Sequence, residues 1–187
     1  MKKTGKTLTL SGQMPQRQFG ELLNRDPKTI LEYSNVLDIN KAWKVKDFRC
    51  WIQGTCNDMG INKEACTGLD VQLSTDNIPN SNDWNNAGEN RAIGWGTLSY
   101  WFTQSNIKVL TPQAGFARML MNSEYFMHPD HLIQNKLTIS AQATGNSDLE
   151  AATGYILNYI VYLEEYDISP VESIVFNIKS KAQDLVN

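Results

Sequence analysis

Residues 43–52 read Trp43-Lys44-Val45-Lys46-Asp47-Phe48-Arg49-Cys50-Trp51-Ile52. Phe48, Cys50 and Ile52 fall on one side of an extended chain, and Arg49 and Trp51 on the other. This is the two-residue period of a half-buried strand. Upstream, Trp43 and Val45 alternate with Lys44 and Lys46, but this half is out of phase with the one that follows. A one-residue slip near Asp47 suggests a bulge or a bend there.

The same reading extends outward along the chain. Short runs of β-branched and aromatic residues between turn signals predict strands at 7–11, 69–73, 92–102, 107–110, 132–141 and 155–166. In 132–141, Leu137, Ile139 and Ala141 oppose Lys136, Thr138 and Ser140. In 155–166, Leu157, Tyr159, Val161 and Leu163 share a face. Residues 74–90 are crowded with Asn and Asp, which favour local turns, and predict a loop.

The C-terminus changes period. Ser169-Pro170-Val171-Glu172 has the form of a capping box with proline at the first helical position. Val171, Ile174, Val175, Ile178, Ala182 and Leu185 then recur at helical spacing. This predicts an amphipathic helix over 169–185, with its apolar stripe packed against something. Good helix formers predict a second, shorter helix over 112–122. The fold class expected is mainly β: a single eight-stranded antiparallel jelly roll, a two-sheet sandwich with a C-terminal helix, filling residues 1–187 as one domain. Residues 1–6 are expected to be a short basic segment ahead of the first strand.

Composition narrows the function classes. The chain has 187 residues, 41% hydrophobic, with a net charge of −3. That apolar share supports a folded core, and no apolar run reaches the roughly 18 residues of a membrane helix. Lys2, Lys3 and Lys6 are not followed by an apolar stretch, so no secretory leader is expected. Charge is uneven. Residues 1–50 carry ten basic and five acidic groups, an excess of +5, whereas the rest carry seven and fifteen, an excess of −8.

Chemistry-bearing motifs are sparse. Thr4-Gly5-Lys6-Thr7 lacks the preceding strand and glycine of a phosphate loop. The histidines of His128-Pro129-Asp130-His131 and the three cysteines, Cys50, Cys56 and Cys66, lack zinc-site spacing, so no metal and no cofactor is expected. No serine sits in a nucleophile elbow, and Glu164-Glu165 would face opposite ways on a strand. No catalytic residue is assigned, and a non-enzyme is expected. Trp84 and Trp95, near Tyr100, Trp101 and Phe102, fit packing or a subunit interface, and secondarily a sugar-binding surface.

The order of these segments resembles the small jelly-roll capsid proteins of circular single-stranded DNA viruses of the environmental type. Three stretches carry the resemblance. One is Asn82-Asp83-Trp84-Asn85-Asn86, running into Glu89-Asn90-Arg91-Ala92-Ile93-Gly94-Trp95-Gly96. Another is Pro129-Asp130-His131 before a strand. The last is Leu163-Glu164-Glu165-Tyr166, followed by Ile168-Ser169-Pro170-Val171-Glu172 and a helix closing Lys181-Ala182-Gln183-Asp184. Lys44-Val45-Lys46-Asp47-Phe48-Arg49 also looks like the family's first long core strand.

The resemblance implies a capsid protein assembling with itself into an icosahedral shell around a viral nucleic acid. It would reside in the virion, and inside the host cell during assembly, with no membrane partner. Family members often begin with an arginine-rich arm, which Met1–Lys6 does not match. Nucleic-acid contact would then fall to Lys2, Lys3, Lys6, Lys41, Lys44, Lys46 and Arg49. The expected subunit contacts are Val171, Ile174, Val175 and Ile178 on the terminal helix, with Trp84 and Trp95. Two other readings are a carbohydrate- or receptor-binding jelly roll and, last, a cupin-like enzyme.

Overall fold

A computed structural model of the 187-residue chain describes residues 1–15, 17–18, 27–32, 40–56, 64–76, 78, 88–103, 116–119, 124–145 and 153–181. These form two antiparallel sheets and one helix. The first sheet is built on β10 (Thr153–Asp167). β1 (Lys2–Gln13) and the short β2 (Arg17–Gln18) lie along one edge of it, and β4 (Lys41–Cys56) along the other. The second sheet runs β3 (Lys28–Glu32), β9 (Lys136–Gly145), β5 (Glu64–Ser74), β6 (Ala92–Thr103). β7 (Phe116–Met119) and β8 (Glu124–Met127) pair successive stretches of β6's outer edge.

The pairs β1–β10, β3–β9 and β5–β6 are nested hairpin partners, and β10–β4 and β9–β5 close them into two sheets. This is the winding of a jelly roll. Among the described residues ten strand segments stand where eight are expected, because β2 and β7 are short extra pieces along edges of β10 and β6. β8 pairs with β6 but also reaches β4. The Tyr125 hydroxyl accepts from the Cys50 N–H at 2.8 Å and donates to the Cys50 carbonyl at 2.8 Å.

The core fills the space between the sheets. Phe48, Val71, Leu73, Ile133, Leu137, Ile139, Leu157, Val161 and Leu163 are all fully or almost fully buried. The slip in residues 43–52 is a bulge. Tyr162 pairs with Asp47 but Leu163 with Val45, so Lys46 is the extra residue. Trp43 and Val45 thereby stay buried alongside Phe48 and Cys50, while Arg49 and Trp51 face outward.

Gly94 and Gly96 have a packing role. A Cβ on Gly96 would lie 2.6 Å from the Tyr125 ring, and one on Gly94 would lie 2.6 Å from the Met127 sulfur. Their bare backbones let both side chains cross the strand toward Phe48, whose ring meets Tyr125 edge-on at 4.6 Å.

Several expectations change. The strand expected at 132–141 begins at Lys136; residues 132–135 instead cross over, with Ile133 bridging Trp43 through two 2.8 Å backbone bonds. Residues 116–119 of the expected second helix form β7, because the free edge of β6 satisfies their backbone groups and overrides local helix propensity. The basic residues 1–6 are not an appendage, since β1 begins at Lys2. A register shift between Lys3 and Thr7, with Gly5 at φ 88°, carries the strand through. The expected strand at 107–110, most of the loop at 74–90 (including Trp84) and helix residues 182–185 lie outside the described residues.

Candidate functional site

The terminal helix, α1, spans Pro170–Lys181. Its start is the reciprocal capping box read from the sequence: the Ser169 N–H donates to Glu172 Oε2 at 2.8 Å, and the Glu172 N–H to Ser169 Oγ at 3.2 Å. The N-terminal ammonium of Met1 adds an ion pair to Glu172 at 3.2 Å.

The helix docks on the body by a side other than its apolar stripe. The side turned to the body carries Ser173, which is buried and accepts from Gln134 Nε2 at 2.7 Å, and Phe176, which packs on Ala42, Leu132 and Ile168. Asn90 Nδ2 donates to the Lys179 carbonyl at 3.1 Å. The apolar stripe points away. Val171, Ile174, Val175 and Ile178 are 69, 59, 55 and 63% exposed. Ser173 and Phe176 anchor the helix, and Val171, Ile174, Val175 and Ile178 are left largely to solvent. An exposed apolar strip of this kind is the sort of surface on which contacts with other molecules form.

All seven basic candidates lie on the β1–β10–β4 sheet: Lys2, Lys3 and Lys6 on β1, and Lys41, Lys44, Lys46 and Arg49 on β4. The tertiary structure thus gathers two sequence-distant clusters onto either side of β10. The acids on β10 partly answer them. Lys3 Nζ lies 2.7 Å and Lys46 Nζ 3.4 Å from Glu164 Oε1, Lys6 Nζ lies 3.5 Å from Glu165, and Arg49 Nε lies 3.3 Å from Asp47. The hydrogen bond from Lys3, with Lys46 behind it, holds the Glu164 carboxyl below the usual carboxylate range, and Glu164 in turn raises the Lys3 ammonium. Lys44 Nζ sits 5.8 Å from the centre of the Tyr166 ring. The ammonium groups of Lys3, Lys6 and Lys46 and the Arg49 guanidinium remain on exposed side chains.

No family model matches this chain, and no curated protein sequence matches it.

Trp95 stands on β6 in a cross-strand row with Phe126 of β8 and Gln72 of β5. Phe126 is 61% exposed, whereas Gln72 is fully buried and Trp95 half-buried. Trp95 therefore borders an exposed aromatic side chain on the outer face of the second sheet. The other candidate from that neighbourhood, Trp84, lies outside the described residues.

Two polar features were not legible as a site in the sequence. Glu89 and Arg91 are buried together, with Arg91 Nε and Nη2 each 2.9 Å from one carboxylate oxygen and the Arg91 N–H 3.0 Å from Oε1. Their spacing of two gave no hint, because only the turn into β6 brings the fork onto the carboxylate. His131 is buried under the crossover at 132–135. Its Nε2 accepts from the Val45 N–H at 2.8 Å, and its Nδ1 bonds the His128 carbonyl, which identifies a neutral imidazole protonated at Nδ1.

Among the described residues, no group of three or more His, Cys, Asp or Glu side chains is placed to hold a metal ion. No described helix is long and apolar enough to cross a membrane. Burial pushes the Cys50 thiol up to about 12, which keeps it protonated and unreactive.

Proposed function

We propose that this chain is a viral coat protein that assembles with copies of itself into an icosahedral shell around a small nucleic-acid genome. The observation that carries the reading is the outward apolar stripe of α1. Val171, Ile174, Val175 and Ile178 are each more than half exposed, although the helix itself is anchored by Ser173, Phe176 and a complete capping box. The occupant proposed for this stripe is a second copy of the chain. Repeated use of one patch by identical subunits is how symmetric shells close.

Three further features support it. The jelly-roll winding accords with the family that the segments at 82–96, 129–141 and 163–184 resemble. The seven basic residues gather on one sheet, which would give a genome a folded partner. The conspicuous buried polar groups, Glu89–Arg91 and His131, are engaged in holding the fold.

The test is electron microscopy and size exclusion of the purified full chain. Closed particles of uniform diameter are expected. The Ile174→Asp, Ile178→Asp double variant is expected to elute as a folded monomer of 21.1 kDa. A wild-type chain that stays monomeric at high concentration overturns the proposal.

The Phe126–Trp95 row favours a second reading, a carbohydrate- or receptor-binding jelly roll. Glycan binding by a stable monomer, lost on Phe126→Ala, would select it over the shell.

A further inference from the structure

The outward face of the β1–β10–β4 sheet follows from the register. Phe48, Cys50, Leu157, Val161 and Leu163 point into the core, so Arg49 and Trp51 on β4 and Asn158, Ile160, Tyr162 and Glu164 on β10 point out. Across the three strands the rows read Gln13–Asn158–Trp51, Ser11–Ile160–Arg49, Thr9–Tyr162–Asp47 and Thr7–Glu164–Lys44. Two large aromatic side chains on this face are open to solvent, Trp51 at 42% and Tyr162 at 40%. They stand four residues apart along β10, roughly 13 Å, with Arg49 in the row between them. Lys46 and Lys3 reach the same face beside Glu164. β1 offers only Thr7, Thr9 and Ser11 next to Tyr162 and Ile160, so one flank is low and lined with hydroxyls.

We infer that this face binds single-stranded nucleic acid by stacking unpaired bases on Trp51 and Tyr162, with Arg49, Lys46 and Lys3 taking the phosphates. The inference rests on the genome-enclosing reading above and assigns the face and the aromatic side chains that hold the bases. Exposed aromatic rings beside cations on a sheet are the means by which proteins hold unpaired bases, because every base has a π-face that a duplex conceals. Charge selects the occupant. A subunit contact disfavours exposed lysines at its centre, whereas phosphates favour them. Glu164 acts as a placeholder: in the unbound chain its carboxylate engages Lys3 and Lys46, which phosphates would draw away.

The experiment measures binding of fluorescent oligodeoxythymidine and oligouridine of about 16 nucleotides, and of duplex DNA of the same length, to the full chain freed of nucleic acid. Both single strands are expected to bind at least about tenfold more tightly than the duplex. Trp51→Ala and Tyr162→Ala should each weaken single-strand binding at least about fivefold and leave the duplex unchanged, while Trp51→Phe retains it. Lys46→Gln with Arg49→Gln should reduce the salt slope by about 1.4. Glu164→Gln should tighten binding.

Equal affinity for single and double strands, or unchanged single-strand binding in both alanine variants, overturns the inference. Alanine variants that lose particles while binding oligonucleotide normally also overturn it, by making this face a subunit contact. A wild-type chain that forms no particles but binds with the expected aromatic dependence sinks the shell and leaves this inference standing.

Discussion

The Val45 N–H donates to Nε2 of His131 across 2.8 Å, so a buried imidazole supplies the hydrogen bond next to the β-bulge that the ladder would otherwise supply. Burial is the main reason the imidazole titrates below its ordinary value, and the nearby ammonium of Lys44 adds to it. Protonation would place a second proton on Nε2, facing the Val45 N–H. The native state therefore binds this proton less readily than the unfolded chain. Its contribution to stability is whole above about pH 6.5 and is lost as pH falls through the depressed native value. Thermal melts should show the melting temperature dropping below pH 6.5, and His131→Gln should flatten that part of the profile. An equally steep drop in the variant would remove His131 as the cause.

The Gly96–Tyr125 contact makes a steric prediction. Gly96→Ala puts a methyl group 2.6 Å from the Tyr125 ring and should cost about 1–3 kcal/mol by overpacking. Tyr125→Phe relieves no clash in the wild type but removes both hydrogen bonds to Cys50, at a cost of about 1–3 kcal/mol. Because the two residues touch, their double variant should depart from additivity in denaturant titrations.

Glu89 and Arg91 form a buried ion pair at the entry to β6. Removing one charge by Glu89→Gln weakens the charge-assisted fork to Arg91 and should destabilise the fold by about 1–3 kcal/mol. The hydrogen bond from Arg91 also holds the Glu89 carboxyl below its ordinary value. That contribution is present above about pH 4.5 and disappears as pH falls through the lowered native value. Chemical denaturation at pH 7 and pH 3 checks both statements, and the pH 3 deficit should shrink in Glu89→Gln.

The capping box makes the helix separable from the body in its energetics. Ser169→Ala should cost about 0.5–2 kcal/mol of helix stability. Because α1 carries the outward apolar stripe, fraying its first turn should also lower particle yield. Light scattering during assembly, with circular dichroism as control, tests this. Full yield with a visibly frayed helix would detach the stripe from assembly.

Much of the fold was legible because its signals are local. Alternation in 43–52 and 155–166 named the buried residues on both strands, and the phase slip at Asp47 marked the place of the bulge, since a strand has only two faces. Ser169, Pro170 and Glu172 marked the helix start, because capping chemistry spans only four residues. Residues 116–119 misled for the opposite reason: their propensity is helical, but the waiting partner is an edge of β6 some fifteen residues away.

By itself, then, the sequence determined which apolar residues are inward on β4, β9 and β10, where one strand's phase slips and where the terminal helix begins. Period and capping depend on neighbours along the chain. Only the tertiary structure decided which way the apolar stripe of α1 faces. A helix can be anchored by Ser173 and Phe176 as well as by its most apolar side, and composition does not choose between them. The tertiary structure also decided that lysines from β1 and β4 converge beside Glu164, on the face that carries Trp51 and Tyr162. That convergence exists only because β10, from the far end of the chain, pairs between the two strands and brings residues more than 100 positions apart into one row.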